Sequence, residues 1–395
     1  MAIDFTLSER DQGILQNIRE EALVCRNYAR FYDENEHEFP PDELPEAASF
    51  EPSFDTSAHP YEAGRDSGLA VISMLSSMGQ TWGDYSVRMR RGRGGLGNAA
   101  LQAAGTDEQK QKFGGLTLAM AITEPGCGSD PSKVQCTADL DESTNEWIIN
   151  GEKIFVTTGC RAEGVVVWAT VDKSAGRAGI KSFLIEKDTP GFVVAHKEKK
   201  LGIRADDTAA YVFTDCRIPR ENLLGLNEAV EKKGSGGFRG VMKTFNMTRP
   251  AVAAIGLGIA EAALDFTREE LTKAGIEITY GGSASSQSAA AAKFIELEAL
   301  YEASKLAILR AAWLAEAGKP NNMESSVCKA HTGSAVRRIC QGVIEILGPM
   351  GISREHLVEK WLRDCRITDI YEGTGEIQRL IIARGLFDYT RADLK

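Results

Sequence analysis

The chain has 395 residues, of which 26% are charged and 43% are hydrophobic, and its formal net charge is −10. This length exceeds what a single hydrophobic core usually organises, so two or three domains are expected. The acidic balance argues against nucleic acid as a partner, because phosphate contacts need a basic face. No membrane span is expected, since no run of residues approaches the roughly 20 apolar positions that a span needs.

The N-terminus and the cysteines indicate a reducing compartment. The first residues, MAIDF, show neither the basic and apolar regions of a secretory signal nor the Arg-rich pattern of a transit peptide. The eight cysteines are scattered singly without a CxxC pair, which is typical of reduced and mostly buried thiols. The five histidines show no metal-binding spacing. We therefore expect a cytoplasmic protein without a metal site, although a processed matrix enzyme would show the same pattern.

Residues 1 to 120 are predicted to form an N-terminal helical domain. Ser8 can cap a helix whose apolar residues from Ile14 to Ala22 recur at helical spacing. Two proline-containing stretches between residues 40 and 60 interrupt this pattern as a loop. Helical periodicity resumes at Leu69.

Residues 121 to 232 are predicted to form a central β domain, because the hydrophobic period changes near residue 120. Asn150-Gly151 is a favoured type I′ turn pair and predicts a β-hairpin between Trp147–Ile149 and Lys153–Thr157. The other predicted strands are 164–171, 181–185, 192–196 and 210–213. Short strands without helical crossovers favour an antiparallel sandwich or barrel over a parallel α/β sheet.

Residues 233 to 395 are predicted to be helical again, after a linker at Gly234–Gly237. The clearest helix runs from about Ala289 to Ala317 and is expected to end at Gly318. Its predicted apolar side carries Phe294, Leu297, Leu300, Tyr301, Leu309 and Trp313. The element order therefore predicts an α+β multidomain chain, with helices before and after a β domain.

A glycine motif at residues 92–97 matches the GxGxxG pattern of dinucleotide-binding folds. Such a site needs a strand before the motif and a helix after it, within a βαβ unit. The preceding residues, VRMRR, do not resemble a buried strand, and the β segments come later without βαβ order. A glycine-rich surface bend is therefore favoured over a nicotinamide site.

Four motifs then follow one another along the chain. They are TEPGCGSD at 123–130, INGEKIFVTTG at 149–159, LGIRADDTAAYVFTDCRIP at 201–219 and RDCRITDIYEGTGEIQRLIIARGL at 363–386. In this order and spacing, together with TRPAVAA at 248–254, the sequence resembles the acyl-CoA dehydrogenase family. The first hundred residues resemble it only loosely. The resemblance implies an N-terminal helical domain, a central β domain and a C-terminal four-helix bundle domain.

The resemblance also implies a reaction. FAD-dependent dehydrogenation of an acyl-CoA thioester gives the trans-2-enoyl-CoA, with a base removing the α-proton while the β-hydride passes to flavin N5. Glu372 in YEGTG matches the family's catalytic base. A carboxylate suits this role when partial burial raises its pKa, and neighbouring glycines let the backbone approach a ligand closely. The implied electron acceptor is an electron-transfer flavoprotein.

Further site residues are carried over from the family's motifs. The FAD contacts implied in the β domain are Met120, Ala121, Ile122, Thr123, Gly128, Ser129, Phe155, Val156 and Thr157. Those implied in the helical segments are Gln287, Glu345, Ile346, Leu347, Gly348, Thr374 and Glu376. The substrate contacts implied are Ser129, Asn246, Arg249, Tyr371 and Gly373. Phe155, Asn246 and Glu345 stand where many relatives carry Trp, Asp and Gln.

The basic residues of the chain give predictions about its substrate and its subunit partners. For the cluster Arg88, Arg90, Arg91 and Arg93 a solvated turn is favoured, and contact with CoA phosphates or an acidic acyl tail is the alternative. Between residues 273 and 287 the chain lacks the Arg that a neighbouring subunit of the family extends to the FAD pyrophosphate. Either Lys273 or the amides of 281–283 replace it in a homodimer or homotetramer, which is favoured, or a different subunit donates it in a hetero-oligomer.

Three alternative functions are compatible with parts of this pattern. Another flavoenzyme of the superfamily, such as a nitroalkane oxidase or a flavin monooxygenase, is disfavoured by the intact Tyr371–Thr374 motif. A non-enzymatic flavin-binding or DNA-associated relative is disfavoured by the acidic balance. An enoyl-CoA reductase, which runs the same chemistry backward, stays open, as does the acyl chain.

Overall fold

The computed structural model describes residues 7–36, 68–91, 95–230, 236–389 and 393, and the chain forms two compact units. The helical unit comprises residues 1–91, 201–205 and 245–395, and the β unit comprises residues 92–200 and 206–244. The domain boundaries at residues 120 and 232 stay a prediction. The predicted loop between 40 and 60, the first three residues of the glycine motif and residues 234–235 of the predicted linker lie outside the described residues.

Helices, then strands, then helices follow one another along the chain in the predicted order. In the described residues the helices are α1 (Glu9–Glu34), α2 (Leu69–Arg91), α3 (Leu96–Ala104), α4 (Asp107–Phe113), α5 (Gly236–Lys273), α6 (Ala289–Glu316), α7 (Asn322–Leu347), α8 (Pro349–Ile352), α9 (Val358–Cys365) and α10 (Gly375–Phe387). The strands there are β1 (Leu118–Ala121), β2 (Thr137–Asp141), β3 (Glu146–Thr157), β4 (Gly164–Thr170), β5 (Ile180–Glu186), β6 (Phe192–Lys197) and β7 (Thr208–Pro219). Helical segments therefore flank one curled sheet in the chain, as the sequence predicts.

Helix α1 begins where its capping signal places it. The Ser8 hydroxyl accepts a hydrogen bond from the Asp11 N–H at 3.2 Å, which satisfies one of the free amides of the first turn. Ile18 and Ala22 are buried, so the predicted apolar spacing marks the packed face. Both the cap and the buried face of α1 are confirmed.

A buried charge cluster holds a break in helix α2. Asp84 has extended backbone angles (φ −158°, ψ 125°) inside α2, and its carboxylate accepts a hydrogen bond from Lys360 Nζ at 2.6 Å. Lys360 also contacts Asp364 one turn further along α9. All three side chains are buried, and the two carboxylates raise the pKa of Lys360 above its usual range despite its burial. The charges therefore fix the place where α2 departs from helical geometry.

The longest predicted helix is confirmed in α6. The Ser288 hydroxyl accepts from the Ala291 N–H at 3.1 Å, and Gly318, with φ +65°, lies just beyond the last turn. Of the predicted apolar side, four residues are buried and two are partly buried: Phe294, Leu297, Tyr301 and Leu309, then Leu300 and Trp313. Glycines 236 and 237 begin α5, so this half of the predicted linker is wrong.

Helices α5, α6 and α7 share the core of the helical unit. Leu257, Phe294, Ile308, Val336 and Val343 belong to one buried cluster. The segment Thr248–Lys273 of α5 is long and apolar enough to cross a membrane by composition, yet 72% of its most apolar window is buried inside the protein. Burial in this core accounts for its apolar composition.

The sheet of the β unit is mixed. Its order is β1-β4-β2-β3-β7-β6, with β5 paired to β4. The pairs β2–β3, β3–β7, β6–β7 and β4–β5 are antiparallel, whereas β1 runs parallel to β4. The four further predicted strand segments are confirmed as parts of β4 to β7, but the expectation of a purely antiparallel arrangement is corrected by the β1–β4 pair.

The predicted β-hairpin at Asn150-Gly151 is wrong. Strand β3 continues through this pair without turning, and the register against β7 shifts between Ile149 and Gly151. The Asp215 N–H donates to the Asn150 side-chain oxygen at 2.8 Å, and Gly151 has φ +144°. A Cβ at Gly151 would lie 2.7 Å from Cys136 Cα on the approach to β2. The glycine thus serves a bulge and a close backbone approach.

The glycine motif follows a helix. Among the described residues, α2 directly precedes the motif, whereas a dinucleotide-binding βαβ unit has a strand there, and the absence of a nicotinamide site stays a prediction. Gly95 precedes the first residue of α3, and a Cβ at Gly97 would lie 2.2 Å from the carbonyl oxygen of Ala119 in β1. The described glycines therefore allow α3 to pack closely on β1.

Candidate active site

Glu372 lies in a tight turn just before α10 of the helical unit. Glu372 has φ +57° and Gly373 has φ +86°, so two consecutive residues adopt the left-handed region. For a non-glycine residue this conformation costs about 1–2 kcal/mol. A Cβ at Gly373 would lie 2.5 Å from Gln378 Nε2, so only glycine fits there without a shift. The Glu372 backbone is therefore held in a conformation that it would not choose alone.

The Glu372 carboxylate is partly buried. Its Oε2 accepts a hydrogen bond from the Thr248 hydroxyl of α5 at 3.2 Å. Burial raises the pKa of Glu372, and the Thr248 hydrogen bond, Lys329 and Arg249 each oppose that rise. A carboxylate whose pKa is raised in this way is suited to accept a proton near neutral pH.

Arg249, predicted to contact substrate, is buried beside this carboxylate. Its Nη1 donates long hydrogen bonds, 3.4 Å each, to Asn322 Oδ1 and Ser326 Oγ of α7. Burial lowers the pKa of Arg249, and the negative charge of Glu372 opposes this change. The structure thus brings Arg249 and Glu372 together.

Tyr371 is anchored to α2. Its hydroxyl lies 2.9 Å from the hydroxyl of Tyr85, the residue that follows the break at Asp84. Burial raises the pKa of Tyr371 well above its usual value. The turn that carries Glu372 is therefore tied on one side to the kinked part of α2.

Arg88 is the member of the arginine cluster whose side chain the structure describes. It is partly buried, its Nε donates to Gln80 Oε1 at 2.6 Å, and burial lowers its pKa against the opposing effect of Tyr85 and Tyr371. The prediction of a fully solvated turn is therefore wrong for Arg88. The side chains of Arg90 and Arg91, and the whole of Arg93, lie outside the described part of the chain.

Two residues that the sequence analysis did not single out complete the turn. Lys329 Nζ of α7 and Gln378 Nε2 of α10 both donate to the Gly373 carbonyl oxygen, at 2.9 and 3.2 Å. Lys329 and Gln378 are fully buried. A lysine within a helix face of otherwise small or apolar residues is the signal that could have identified Lys329.

Thr374 and Glu376 lie at the start of α10. The Thr374 hydroxyl accepts from the Ile377 N–H at 3.3 Å and so caps the helix. Glu376 is exposed, and backbone and Thr374 hydrogen bonds lower its pKa. This helix start follows the Glu372 turn directly, so the predicted FAD contacts at 374 and 376 are adjacent to the predicted base.

The predicted FAD contacts at the end of α7 lie far from that turn. Glu345 is exposed, and Ile346, Leu347 and Gly348 are partly buried. Glu345 lies sixteen positions after Lys329 in continuous helix, which corresponds to roughly 24 Å along the helix axis. Gln287 lies in the segment before α6, and the side chain of Asn246 in α5 is not described. Glu345 therefore lies far along α7 from Lys329, the α7 residue that contacts the turn carrying the predicted base.

The two β-unit motifs meet at β1 and β3. The Ile154 N–H donates to the Thr123 carbonyl at 2.9 Å, and Lys153 Nζ donates to the Ile122 carbonyl at 3.0 Å. Lys153 also forms a 2.7 Å ion pair with Glu124, and both side chains are buried. The predicted contacts of Met120–Thr123 and Phe155–Thr157 are therefore held side by side.

Phe155 fits a site for a planar aromatic group. Its side chain is 61% exposed, although it is aromatic, and its backbone has φ +56°. Gly128 and Ser129 of the neighbouring motif are also exposed, and a Cβ at Gly128 would meet only the Thr123 methyl group, at 3.9 Å. An exposed aromatic ring and an exposed glycine without close neighbours are features that residues contacting an isoalloxazine ring would need.

Comparisons with known proteins agree with this arrangement. The acyl-CoA dehydrogenase middle domain matches residues 119–216, and the acyl-CoA dehydrogenase C-terminal domain matches residues 235–387. The chain is 30% identical to the short-chain specific acyl-CoA dehydrogenase of Clostridium acetobutylicum over 98% of this chain and 100% of that protein. The chain belongs to the acyl-CoA dehydrogenase family. This family member is a flavoprotein oxidoreductase that acts on acyl-CoA.

Two further similarities bear on the reaction. Acryloyl-CoA reductase (NADH) of Anaerotignum propionicum is 35% identical over 291 residues, which are 72% of this chain and 71% of that protein. The structure of butyryl-CoA dehydrogenase from Megasphaera elsdenii superposes with a TM-score of 0.79 at 29% identity, covering 98% of this chain and 100% of that one. The family member described here is thus similar to a reductase as well as to dehydrogenases.

Proposed function

We propose that this protein oxidises a short-chain acyl-CoA to the trans-2-enoyl-CoA, with Glu372 as the base that removes the α-proton. The observation that carries the proposal is the partly buried Glu372 carboxylate, whose pKa burial raises and whose backbone is held in a left-handed turn. The short acyl chain is supported by the similarity to short-chain and butyryl-CoA dehydrogenases.

The cofactor in this proposal is FAD, which supplies the hydride acceptor when bound. Phe155 would pack against its ring, and the backbone of Met120–Thr123 and Val156–Thr157 would hydrogen-bond its edge. Gly128 and Ser129 leave room for phosphate oxygens, which backbone amides bind well. The start of α10, capped by Thr374, is suited to the adenosine and phosphate side.

In this proposal the protein's own residues remove the α-proton of the acyl-CoA and stabilise the charges that result. The Glu372 carboxylate accepts the α-proton, and its own backbone N–H is suited to stabilise the thioester oxygen as negative charge develops there. Thr248 orients the carboxylate through Oε2, and Arg249 supplies a positive charge beside it. Burial of the turn limits competition from water for the same proton.

The electron acceptor and assembly are also proposals. An electron-transfer flavoprotein accepts the electrons, and a homodimer or homotetramer is favoured over a hetero-oligomer. Lys273, a candidate to replace the family's arginine at the FAD pyrophosphate, is exposed, and its Nζ lies 2.6 Å from Glu270 Oε1. Protein purified alone is expected to hold one FAD per chain. Flavin-poor protein that gains FAD only on co-expression with a second family member would support the hetero-oligomer.

The test of the base is Glu372→Gln, which keeps the shape of the side chain and removes its proton affinity. Anaerobic reduction of the bound flavin by butyryl-CoA is expected to slow by about 10²–10⁴-fold, while FAD stays bound. The matched control is Glu302→Gln, the same change at an exposed position of α6, which is expected to react like wild type. Near wild-type flavin reduction by the Glu372 variant would place the base elsewhere.

The reverse direction is the second candidate, since the acryloyl-CoA reductase is 35% identical to this chain. Glu372 would then donate, instead of accept, the α-proton. The measurement is NADH consumption with acryloyl-CoA or crotonyl-CoA. We expect no NADH oxidation by the purified protein, and rapid oxidation would reverse the assignment of direction.

A further inference from the structure

The carbonyl that follows the proposed base has two side-chain donors. Lys329 Nζ of α7 and Gln378 Nε2 of α10 both donate to the Gly373 oxygen, at 2.9 and 3.2 Å. The peptide unit between Gly373 and Thr374 is thereby fixed from two helices. Since Glu372 and Gly373 both have positive φ, fixing this peptide resists relaxation of the turn to a common conformation.

The two donors differ in charge. Gln378 is neutral, whereas Lys329 is a lysine with no exposed surface, surrounded on its own helix by buried Ser325, Ser326 and Cys328. A buried ammonium group is costly unless acceptors and negative charges compensate for lost hydration. Burial lowers the pKa of Lys329 to about 8, close enough to neutrality that its surroundings decide its charge.

The negative charges that act on Lys329 lie on the segment from Asp369 to Glu376, which includes the turn and the start of α10. Asp369, Glu372 and Glu376 favour its protonated form, and Arg249 of α5 disfavours it. In return, Lys329 and Arg249 both favour the ionised form of Glu372. The lysine and the proposed base therefore stabilise each other's charged forms, in addition to the hydrogen bond that joins the lysine to the turn.

We propose that Lys329 is a positioning residue for Glu372: its ammonium group fixes the left-handed turn through the Gly373 carbonyl and provides a positive charge that attracts the Glu372 carboxylate. The inference rests on the proposed role of Glu372 as base. Lys329 acts through its neighbours, and Glu372 alone receives the substrate proton.

Two effects follow from removal of the ammonium group. Loss of the hydrogen bond loosens the turn and lowers the rate at every pH. Loss of the positive charge raises the pKa of Glu372, so that its proton-free form, which exists above that pKa, is reached only at higher pH. The acid limb of the activity profile therefore moves upward. A purely structural role of Lys329 predicts no such movement.

The experiment compares Lys329→Met with Gln378→Ala in the FAD-loaded protein. Both variants remove a donor to the Gly373 oxygen, but only the first removes a charge. The rate of flavin reduction by butyryl-CoA, measured above the acid limb but below pH 8, where Lys329 keeps its charge, is expected to fall about tenfold in Lys329→Met and about two- to threefold in Gln378→Ala. Lys329→Arg, which keeps the charge, is expected to retain the acid limb of wild type.

A second readout needs no turnover. A 3-thia-acyl-CoA binds without reducing the flavin, and removal of its α-proton is followed as a long-wavelength absorbance band. The pH midpoint of this band is expected to rise by roughly one unit in Lys329→Met and to stay at the wild-type value in Gln378→Ala. Equal midpoints in Lys329→Met and wild type would overturn the proposal.

Two further measurements distinguish a folding defect, and an error in the proposed base, from failure of the positioning role. If Lys329→Met does not bind FAD, Lys329→Gln replaces it as a smaller uncharged variant, and the same upward shift is required of it. Glu372→Gln is expected to abolish the band at all pH values. Persistence of the band in Glu372→Gln would refute the proposed base, whereas an unshifted midpoint in Lys329→Met refutes only the positioning role.

Discussion

Phe155 of the β unit and Glu372 of the helical unit have nearly the same unusual backbone. Their φ angles are +56° and +57°, in a region that non-glycine residues rarely adopt. Phe155 presents an aromatic ring that is 61% exposed, whereas Glu372 holds a charge that is partly buried. Each side chain is therefore in the environment opposite to the one that its chemistry prefers.

The difference lies in what supports each residue. Beside Phe155, a register shift between Lys153 and Val156 in β3 aims the ring outward, and the buried Lys153–Glu124 pair holds the strand. Beside Glu372, side chains from α5, α7 and α10 bond the turn itself. An apolar ring needs only an open surface to meet a planar ligand, whereas a base must have both its position and its pKa controlled.

The largest expected change in unfolding free energy comes from removing the buried Lys153–Glu124 ion pair near Phe155 in β3. Lys153→Met leaves the buried Glu124 carboxylate without its cation, which is expected to destabilise the β unit by about 3–5 kcal/mol. Denaturant unfolding measures this loss. The double variant with Glu124→Gln removes both charges and is expected to recover part of the stability. No recovery would mean that packing of the lysine stem, and not its charge, is what matters.

Gly373→Ala tests the support beside Glu372. The new Cβ would lie 2.5 Å from Gln378 Nε2 at φ +86°, and we expect a loss of about 2–3 kcal/mol in unfolding free energy. Gly275→Ala is the matched control, because Gly275 has φ +70° and nothing within 4 Å of its Cβ. It isolates the backbone cost of about 1–2 kcal/mol. Equal losses at both positions would show that contact with Gln378 is unimportant.

Phe155→Ala sharpens the comparison from the ligand side. Because the ring is mostly exposed, the stability of the flavin-free protein is expected to change by no more than about 0.5 kcal/mol. The dissociation constant for FAD is expected to rise about tenfold, since the ring contact is lost. Titration of the flavin-free protein with FAD, followed by flavin fluorescence, measures this dissociation constant. Val193→Ala, at a 56% exposed position of β6, is expected to leave both quantities unchanged.

The smallest expected effect concerns the cost of burying the base. The folded-state pKa of Glu372 is raised, so the folded protein is stabilised when this carboxyl is protonated. The stabilisation is fully present below the ordinary pKa of 4.5 and is lost as pH rises through the folded-state pKa. Above that range Glu372→Gln is expected to melt about 1 °C higher than wild type. Near pH 4 the two melting temperatures are expected to coincide. A Gln variant that is less stable at pH 8 contradicts this assignment.

The sequence predicted the elements whose signals are local. The cap at Ser8, the glycine after α6 and the strand segments in β4 to β7 each depend on a few neighbouring residues. The hairpin at Asn150-Gly151 failed because the same dipeptide also serves a bulge, and only the approach of Cys136 distinguishes the two uses. The parallel β1–β4 pair likewise depends on a tertiary arrangement that no local pattern records.

In the candidate active site, too, the sequence predicted only the residues whose signal is local. Glu372 and the glycine beside it could be placed from the YEGTG motif, because the motif itself forms the turn. Lys329 and Tyr85 could not, since they lie 44 and 286 residues from the groups that they contact. The partial burial of Arg88 was missed for the same reason, because Tyr371 approaches it through folding alone.

The ion pair between Asp84 and Lys360 joins residues 276 positions apart in the chain. Between them the whole β unit is synthesised, so α2 emerges from the ribosome long before the cation that stabilises its break. The N-terminal helices are therefore expected to stay protease-sensitive on stalled nascent chains that end before α9 is released, whereas the β unit becomes resistant first. For this protein, completion of the helical unit, and with it the turn that carries Glu372, is an event of late translation.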